Sequence, residues 1–505
     1  MLISRPIVVF LSAGLIAGCA VGPDYRKPDL AFSNKYFGEA QLEKRNELSN
    51  PDFANADLAT WWDGFGDALL SRYVRLALEQ NLDIAQATAR IAQAKSGLGS
   101  AQAALLPSAN VNVQAIRNHQ SLESPLGQVL NSVPSYDRNA NLYEANLNAS
   151  WELDIFGGLR RDQEAAVAEY QAAKAGAIAT RLAVAAQTSD IYITIRGLQS
   201  RLDISRKQLE TQQHLLSKVN LLYSKGLAPR LQVQQVEGAV AQVKAVIPVL
   251  ESALDISMNG LDVMLGAAPG TYRAELGKVS PIPVAPQISS IGSPADLLRR
   301  RPDLIVAERR LAVANAKIGV AVSEYYPKLA LSLLIGSATA ISGGNLFSSA
   351  ANQAAGVVGL RWRLFDFARI NAQIDQAKGQ EAEALAAYRQ SALRATEDVE
   401  NAISALVKRE EQTNALLQGE QSLTQARKSS FMAYQKGVVS LIEVLHADEN
   451  LLKTSDAKAQ AQTESARSAV AAFKTLGGGW EESNVTLHFS KVLSIANSDT
   501  LTKQQ

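Results

Sequence analysis

Four stretches of the chain alternate between apolar and polar side chains with a period of two residues, the pattern of a β-strand with one apolar face. The alternation is longest at 143–155, where apolar residues occupy the odd positions and polar residues the even ones. Shorter runs lie at 108–115, 329–335 and 358–364. The pattern predicts two strand hairpins, one in each half of the chain.

These runs have about 10 residues, the length of a tilted strand that crosses a membrane. A soluble sandwich with one wet face would show the same alternation, but four strands flanked by long helices favour the membrane interpretation. Four strands cannot close a membrane barrel, because bacterial outer-membrane barrels start at about eight. An open sheet edge in lipid would leave backbone groups without hydrogen bonds. We therefore expect three copies to pool four strands each into a 12-stranded barrel with a pore.

A second pattern, with apolar residues spaced alternately by four and three, predicts a coiled-coil seam on a long helix. The stretch 159–224 has no proline, and at about 1.5 Å per residue it can reach roughly 100 Å. Lys225-Gly226 and Lys436-Gly437 then place glycine where a left-handed turn can reverse the chain. Pro248 should kink the returning helix. The seam residues are Ile191, Ile195, Leu198, Leu202, Ser205, Leu209, Gln212, Leu216, Val219 and Tyr223.

The chain is internally duplicated. Arg90-Ile-Ala92 recurs as Arg310-Leu-Ala312, an offset of 220 residues. Tyr223-Ser-Lys-Gly226 recurs as Tyr434-Gln-Lys-Gly437 at the shorter offset of 211. Ser280–Pro286 joins the halves, and its prolines cannot lie inside a helix. Each half is predicted to contain a helix, a strand hairpin, a long helix, a tight turn and a returning helix.

The N-terminus has the features of a secretory signal peptide: Arg5, an apolar stretch at 7–16 and then small residues. Ile16-Ala-Gly-Cys19 resembles a bacterial lipobox, in which the cysteine is acylated and becomes the mature N-terminus. The alternative is an ordinary signal with an incidental cysteine. Because Cys19 is the only cysteine in the chain, we expect it to carry N-palmitoyl and S-diacylglycerol groups. Ala20 rather than Asp after the cysteine indicates the outer membrane.

Composition excludes several classes of protein. Lys and Arg total 50 against 49 Asp and Glu, so no basic field indicates nucleic acid as a partner. A single cysteine excludes a disulfide framework, and the four histidines form no spaced set of metal ligands. Aromatic residues are only 6% of the chain, which suits helices packed side by side through alanine. No catalytic constellation is visible, so we expect neither an enzyme nor a cofactor other than the covalent lipid.

Several motifs together identify a family. They are Cys19-Ala-Val-Gly-Pro-Asp-Tyr25 with Pro28, Trp61-Trp62 with Phe65-Gly66-Asp67, Leu364-Phe365-Asp366 after the last strand, and the paired Tyr-x-Lys-Gly turns. In this order, and with the duplication, the chain resembles the TolC-like outer membrane factors, in the lipoprotein branch that serves tripartite drug-efflux pumps. The resemblance covers nearly the whole chain up to about Gly479.

The resemblance implies a mixed α+β homotrimer. Its 12-stranded transmembrane β-barrel, four strands per chain, continues into a long periplasmic α-helical barrel. It also implies that the turns at Lys225, Gly226, Lys436 and Gly437 dock on a periplasmic adaptor, a membrane fusion protein. That adaptor is bound in turn to an inner-membrane RND-type transporter. The channel is then passive, sits in outer membrane lipid, and conducts drugs or other small toxic compounds.

The resemblance further implies a periplasmic gate after the second turn glycine. Glu443 and His446 fall at the constriction, with His446 where an Asp is often found, and Ile442 falls where some members have an apolar ring. Tyr434 matches a tyrosine that ties neighbouring hairpins together, and Gln232 replaces the acid with which it can pair. We expect His446 to pair with Glu443 and to tighten the gate in acid. Seam packing for Tyr434 and Ile442, and a solvated charge for Glu443, are the alternatives.

Two other functions stay open at this point. A channel for type I protein secretion shares the fold, although the lipobox favours drug or metal efflux. A lipid-anchored coiled-coil scaffold without a pore is the other, and the strand alternation argues against it.

The predicted segments are 1–18, lipoprotein signal peptide; 19–65, N-terminal periplasmic segment; 66–106, helix of repeat 1; 107–156, first barrel β-hairpin; 157–275, helical hairpin of repeat 1; 276–295, inter-repeat linker; 296–326, helix of repeat 2; 327–366, second barrel β-hairpin; 367–478, helical hairpin of repeat 2; and 479–505, polar C-terminal tail.

Overall fold

The structure is a computed structural model that describes residues 20–30, 35–48, 57–288, 292–341 and 343–480. The predicted signal peptide with Cys19 lies outside the described residues, as does the predicted tail from 481 onward. The described chain divides into two compact units. The sheet unit holds residues up to 28, 93–172 and 308–387, and the hairpin unit holds 29–92, 173–307 and residues from 388 onward.

The elements are mostly helical, with four strands, which confirms the mixed α+β prediction. Four 3₁₀ turns lie at Leu58–Phe65, Pro294–Asp296, Gly343–Asn345 and Ser349–Ala351. In chain order the helices and strands are α1 Glu39–Leu48, α2 Ala68–Gln80, α3 Leu82–Ala103, β1 Ser108–His119, α4 Pro125–Asn131, β2 Asn139–Leu153, α5 Gly158–Ser224, α6 Arg230–Met264, α7 Arg273–Leu276, α8 Leu297–Arg300, α9 Pro302–Ser323, β3 Lys328–Thr339, β4 Asn352–Arg361, α10 Phe367–Gln435 and α11 Leu441–Thr475.

The four strands form one antiparallel sheet in the order β1-β2-β3-β4, so β1 and β4 are its edges. The register sets Asn112 opposite Asn146 on one face and Val111 opposite Leu147 on the other. Because side chains alternate across a strand, one face is rich in Asn, Gln and Ser and the other in Val, Leu and Ile. Val111 and Val358 on the apolar face are exposed in the single chain.

The strand bounds differ from the sequence pattern at both ends of the sheet. At the end next to the long helices, β2 and β4 stop two or three residues earlier than predicted, and at the opposite end all four strands extend further. Ile155, Trp362 and Leu364, expected to lie in strands, lie beyond them. After β2 the Asp154 carboxylate accepts the backbone N–H groups of Leu159, at 3.0 Å, and of Arg160, at 2.8 Å. This carboxylate supplies hydrogen bonds that the first turn of α5 would otherwise lack, so the chain leaves the sheet to begin the helix.

The duplication is visible in matching hydrogen bonds beside the strands. Trp151 Nε1 donates to the carbonyl oxygen of Leu105 at 2.9 Å. In the second half, Trp362 Nε1 donates to the carbonyl oxygen of Tyr325 at 3.0 Å. Each indole therefore ties the end of a return strand to the segment that precedes the first strand of its hairpin.

The N-terminal segment of the sheet unit is fixed by backbone contacts. Val21 N–H donates to the Phe156 carbonyl at 3.1 Å, and Arg161 donates to the carbonyls of Val21 and Gly22 and to Asp24. Gly22 has φ +92°, and a Cβ there would lie 2.5 Å from the Cα of Gly319. Only glycine fits this approach, so the residues that follow Cys19 are held next to the start of α5.

The segment 66–106, expected to be one helix, contains two. The break is at Asn81, whose Oδ1 accepts the N–H groups of Asp83 and Ile84 and so caps α3. Its Nδ2 donates to the carbonyl of Met264, 183 residues further along the chain. The partner is distant in sequence, which is why the local pattern did not reveal the break.

In the hairpin unit, α5 packs on both α6 and α11. The predicted seam faces inward at Ile195, Leu202 and Val219, whereas Tyr223 at its end is exposed. Two arginine–aspartate pairs join α5 to α11 through paired hydrogen bonds: Arg201 with Asp456 at 2.7 and 3.0 Å, and Arg467 with Asp190 at 2.6 and 3.1 Å. Such forked pairs fix orientation as well as distance. α6 continues through Pro248 as one helix.

No helix among the described residues is long and apolar enough to cross a bilayer.

A close approach of α5 to α11 at Gly197 gives a test of this packing. A Cβ at Gly197 would lie 2.2 Å from Thr463 Oγ1 and 3.0 Å from Thr463 Cβ. We expect Gly197→Ala to lower the free energy of unfolding by about 1–3 kcal/mol through overpacking. The matched control is Gly238→Ala in α6, where nothing lies within 4 Å of the added Cβ. There the better helix propensity should leave stability unchanged or raised by up to about 1 kcal/mol.

Thermal unfolding of the detergent-solubilised protein, followed by circular dichroism, measures both variants. Equal midpoints for Gly197→Ala and Gly238→Ala would contradict this packing. Adding Thr463→Ala to Gly197→Ala should recover part of the loss, since it removes the two atoms nearest to the new methyl group.

Candidate functional site

The two long helical hairpins, α5–α6 and α10–α11, end in turns of the same construction. We call Tyr223–Leu231 the first tip and Tyr434–Ile442 the second tip. In the first, Gly226 N–H donates to the carbonyl of Tyr223 at 2.9 Å, and Leu227 N–H to that of Leu222 at 2.8 Å. This pair of bonds is a Schellman motif, which satisfies the last carbonyls of the helix.

The second tip repeats the motif 211 residues later. Gly437 N–H donates to the carbonyl of Tyr434 at 2.9 Å, and Val438 N–H to that of Ala433 at 2.9 Å. Gly226 has φ +72° and Gly437 φ +74°, so both use the left-handed conformation that other residues avoid. The predicted left-handed turns at these two glycines are confirmed.

An apolar cluster behind the turns holds the two hairpins together. It buries side chains from α5, α6 and α11, and Tyr434 and Phe431 of α10 pack against it half-buried. Two cations also lie over the Phe431 ring, with Lys218 Nζ 5.2 Å and Arg427 Cζ 5.3 Å from its centroid. The buried members are Leu215, Val219, Val233, Val236, Leu441 and Val444.

The predicted gate residues at the start of α11 face away from this cluster. Ile442, Glu443 and His446 are all exposed in the single chain. The expected pairing of His446 with Glu443 is not made within the single chain. His446 Nδ1 instead lies 4.0 Å from Glu449 Oε2, and Lys453 Nζ lies 2.6 Å from the other oxygen of Glu449. The Lys453 ammonium, with a smaller contribution from His446, lowers the pKa of Glu449.

Tyr434 and Gln232 lie at the same end of the hairpin unit, without a mutual hydrogen bond in the described chain. Gln232 donates its backbone N–H to the Pro229 carbonyl at 3.0 Å. Burial against the apolar cluster raises the pKa of the Tyr434 hydroxyl. The expected latch between these two residues is therefore not made within one chain.

A buried carboxylate, which the sequence did not single out, ties three helices together just behind the cluster. Asp448 of α11 is 1% exposed. Arg427 Nε of α10 donates to its Oδ1 at 2.7 Å, and Gln212 Nε2 of α5 donates to its Oδ2 at 3.3 Å. Gln212 was visible as a polar interruption of the coiled-coil seam, and its partner explains why a polar residue is accommodated there.

Between the hairpins, the polar contacts weaken toward the tips. The Arg201–Asp456 and Arg467–Asp190 pairs each make two hydrogen bonds between α5 and α11, and the Gln212–Asp448 contact is a single longer one. Arg427–Asp448, by contrast, lies within the second hairpin. Among the described residues near the tips, movement of one hairpin against the other therefore has to break one hydrogen bond, the cation–π contact of Lys218 with Phe431 and the apolar packing.

The tips and the helix ends that flank them are basic. Residues 218–244 and 427–453, which contain the tips, together carry eight Lys or Arg and four Asp or Glu. Lys225, Arg230 and Lys436 are exposed and form no ion pair with any described residue. In the described part of the chain, no cluster of His, Cys, Asp or Glu could hold a metal ion.

The chain was compared with protein families, with related sequences and with solved structures. The family model described as outer membrane efflux protein matches residues 73–267 and 294–478, and so spans both halves and both tips. Nodulation protein T of Rhizobium leguminosarum bv. viciae is 30% identical over 475 residues, which are 92% of each chain. The pyoverdine export outer membrane protein OpmQ of Pseudomonas putida is 30% identical over 431 residues, 84% of this chain and 89% of OpmQ.

Solved structures agree with the sequence relatives. The outer-membrane channel OprN superposes with a TM-score of 0.81 at 30% identity, over 92% of this chain and 100% of OprN. The Campylobacter jejuni CmeC outer membrane channel has the same fold, with a TM-score of 0.81 at 20% identity over 94% of this chain and 98% of CmeC. The fold is that of trimeric outer membrane channels with a helical periplasmic barrel. The chain belongs to the outer membrane efflux protein family and is an outer membrane channel for efflux, not a member of an enzyme family.

Proposed function

We propose that three copies of this chain form the passive exit duct of a tripartite efflux pump. The observation that supports this most directly is the sheet, which has one apolar face, one polar face and two unpaired edge strands. In lipid, the N–H and C=O groups along β1 and β4 would lack hydrogen bonds. Pairing β1 of one copy with β4 of the next satisfies both edges at once, with the apolar face toward lipid and the polar face toward the pore.

The hairpin unit leads to the same conclusion independently. Ion pairs connect α6 to α5, α5 to α11 and α11 to α10, through Arg206–Glu251, Arg201–Asp456 and Lys458–Glu420 respectively. These ion pairs connect the helices in the order α6-α5-α11-α10. Among the described residues, α1 covers part of α10 through Arg45–Glu410, and the rest of the outer flanks of α6 and α10 exposes apolar side chains.

The free flank of α6 has the spacing of a second coiled-coil seam. Val249, Ile256 and Val263 recur every seven residues, and Val246 precedes the first of them by three. All four are exposed in the single chain, Val249 and Ile256 at 68% each. The flank of α10 likewise exposes Leu393 and Leu417. We propose that α6 of one copy packs on α10 of the next, which closes the ring of helices.

Within the pump, we propose that the tips dock on a periplasmic adaptor, which is bound to an inner-membrane transporter of the RND type. The transporter supplies the energy, and the channel conducts small organic compounds toward the outside. Relatives named for export of pyoverdine and efflux of toluene support small molecules as cargo. Three copies of Ile442, Glu443 and His446 would surround the exit path near the tips, as a gate of apolar and charged rings.

We further propose that Cys19 carries the N-palmitoyl and S-diacylglycerol groups of a lipoprotein. The contacts of Val21 and Gly22 beside the start of α5 support this, because they hold the following residues next to the ends of the strands. Acyl chains attached there would enter the same membrane as the sheet. Two or more acyl chains anchor stably where one does not.

The proposed ring of helices can be tested by placing a charge in the seam between copies. Ile256→Asp would put a carboxylate without a partner into the proposed seam between copies, which is strongly unfavourable on burial. We expect loss of the trimer in size-exclusion chromatography with light scattering, with helix content retained. Lys244→Asp, at an exposed position about 120° around the same helix from Ile256, is the matched control and should leave the trimer intact. A stable trimer in both variants would rule out this seam.

Docking through the tips can be tested by straining their turns. Gly226→Val or Gly437→Val strains a left-handed turn by about 1 kcal/mol or more, without a clash, because nothing lies within 4 Å of either added Cβ. We expect trimers to assemble normally and drug resistance and adaptor crosslinking to fall. Gly238→Val, in a helical position with equally open surroundings, controls for the added side chain. Normal resistance together with normal crosslinking in both tip variants would contradict docking through the turns.

A further inference from the structure

The end surface of the two tips has an unusual composition for a pair of helix turns. From 223 to 231 and from 434 to 442 there are three basic residues, Lys225, Arg230 and Lys436, and no acidic residue. None of the three forms an ion pair with a described residue, although acids lie on the same helices. Glu443, the exposed acid directly after the second tip, offsets one of these charges at most, so the end surface keeps a net positive charge.

Helix dipoles do not account for these charges. A lysine near a helix C-terminus is favoured by the partial negative charge there, which would suit Lys225 and Lys436. Each tip, however, also contains the N-terminus of the returning helix, whose partial positive charge offsets it. Arg230 lies in the first turn of α6, where a cation is disfavoured. The basic side chains thus give the tips a net positive field.

Apolar side chains stand among these cations. Leu227 is 71% exposed and Val438 is 74% exposed, each directly after its turn glycine and at the same place in the repeat. Leu231 and Ile442 are also exposed, again as an equivalent pair. These are isolated projections rather than a broad apolar face, so they suit small sockets in a protein better than the interior of a lipid layer.

We propose that the tips bind a periplasmic protein whose docking end is acidic, with carboxylates around small apolar sockets that receive Leu227 and Val438. This rests on the proposed docking function and adds the chemistry of the partner. The Lys and Arg charges steer the partner and fix its register, whereas the two apolar side chains supply the buried contact. Each chain presents a lysine followed two residues later by an exposed apolar side chain twice, as Lys225 with Leu227 and as Lys436 with Val438. A single kind of docking end therefore fits both tips.

The test uses the full-length protein in the native bacterium, with the photocrosslinker benzoylphenylalanine in place of Leu227 or Val438. Captured peptides are identified by mass spectrometry in three backgrounds: unchanged charges, Lys225→Glu with Lys436→Glu, and Lys244→Glu with Lys95→Glu. The last pair is the matched control, since both lysines are exposed and lie outside the tips. Lys225→Gln with Lys436→Gln removes the charges without reversing them.

We expect the captured peptide to be net acidic. Crosslinking should fall about tenfold or more on charge reversal, by less on neutralisation and not at all in the control, because like charges in a contact are strongly unfavourable. Raising the salt concentration in isolated membranes should also lower the yield. Exchanging an acid of the captured peptide for lysine should restore binding to the reversed tips. Trimer assembly, checked by native gel, should be the same in all backgrounds.

Three results would overturn the proposal, and they differ in what else they contradict. Capture of a basic or neutral peptide, or a yield unaffected by reversal, contradicts the acidic partner but leaves docking in place. Capture of no protein at either position in cells that still export contradicts docking itself. Flotation of the purified protein with phosphatidylglycerol vesicles that depends on Lys225 and Lys436, without any protein captured, would make an anionic lipid surface the occupant instead.

Discussion

Backbone hydrogen bonding at the sheet edges is the constraint on which the rest of this molecule depends. A strand in lipid has no water to satisfy its N–H and C=O groups, so an edge must find another strand. Four strands leave two edges, and the apolar face of this sheet favours a lipid environment. The flanks of α6 and α10 also require a partner, because a coiled-coil seam that packs on nothing exposes its Val and Ile side chains to water. One rotation that repeats the chain about an axis satisfies both requirements.

Duplication explains how one chain comes to have matching ends. The tips close with the same two hydrogen bonds around Gly226 and Gly437, and Trp151 and Trp362 make the same bond to a preceding carbonyl. The repeats have nevertheless diverged where a gate would need a difference. Gln232 stands where the second half has Glu443, and Asp448, which joins three helices, has Glu237 as its counterpart in sequence. At these two positions the second hairpin therefore carries an exposed acid, Glu443, and a buried carboxylate, Asp448, whereas the first carries the amide of Gln232 and the exposed acid Glu237.

Much of the fold could be predicted from sequence because its signals are local. The period of two at 143–155 marks a strand, and a glycine at the end of a long heptad pattern marks a left-handed turn. Features decided by distant residues could not be predicted. Asn81 breaks a helix while bonded to Met264, and the Asp154 carboxylate ends β2 by capping α5. At the candidate gate, Glu443 and Glu449 lie three residues on either side of His446. Spacing alone cannot decide which of the two carboxylates lies near His446. In the structure Lys453 pairs with one oxygen of Glu449, and His446 Nδ1 lies 4.0 Å from the other.

The central claim is that the edges of one chain are completed by the next copy and not within the chain. Cryo-electron microscopy of the full-length protein in lipid nanodiscs tests it most directly. The predicted result is a threefold ring in which β1 of each copy is hydrogen-bonded to β4 of its neighbour and Ile256 is buried against the neighbouring α10. A sheet closed within a single chain, or a ring in which Ile256 faces solvent, would contradict it.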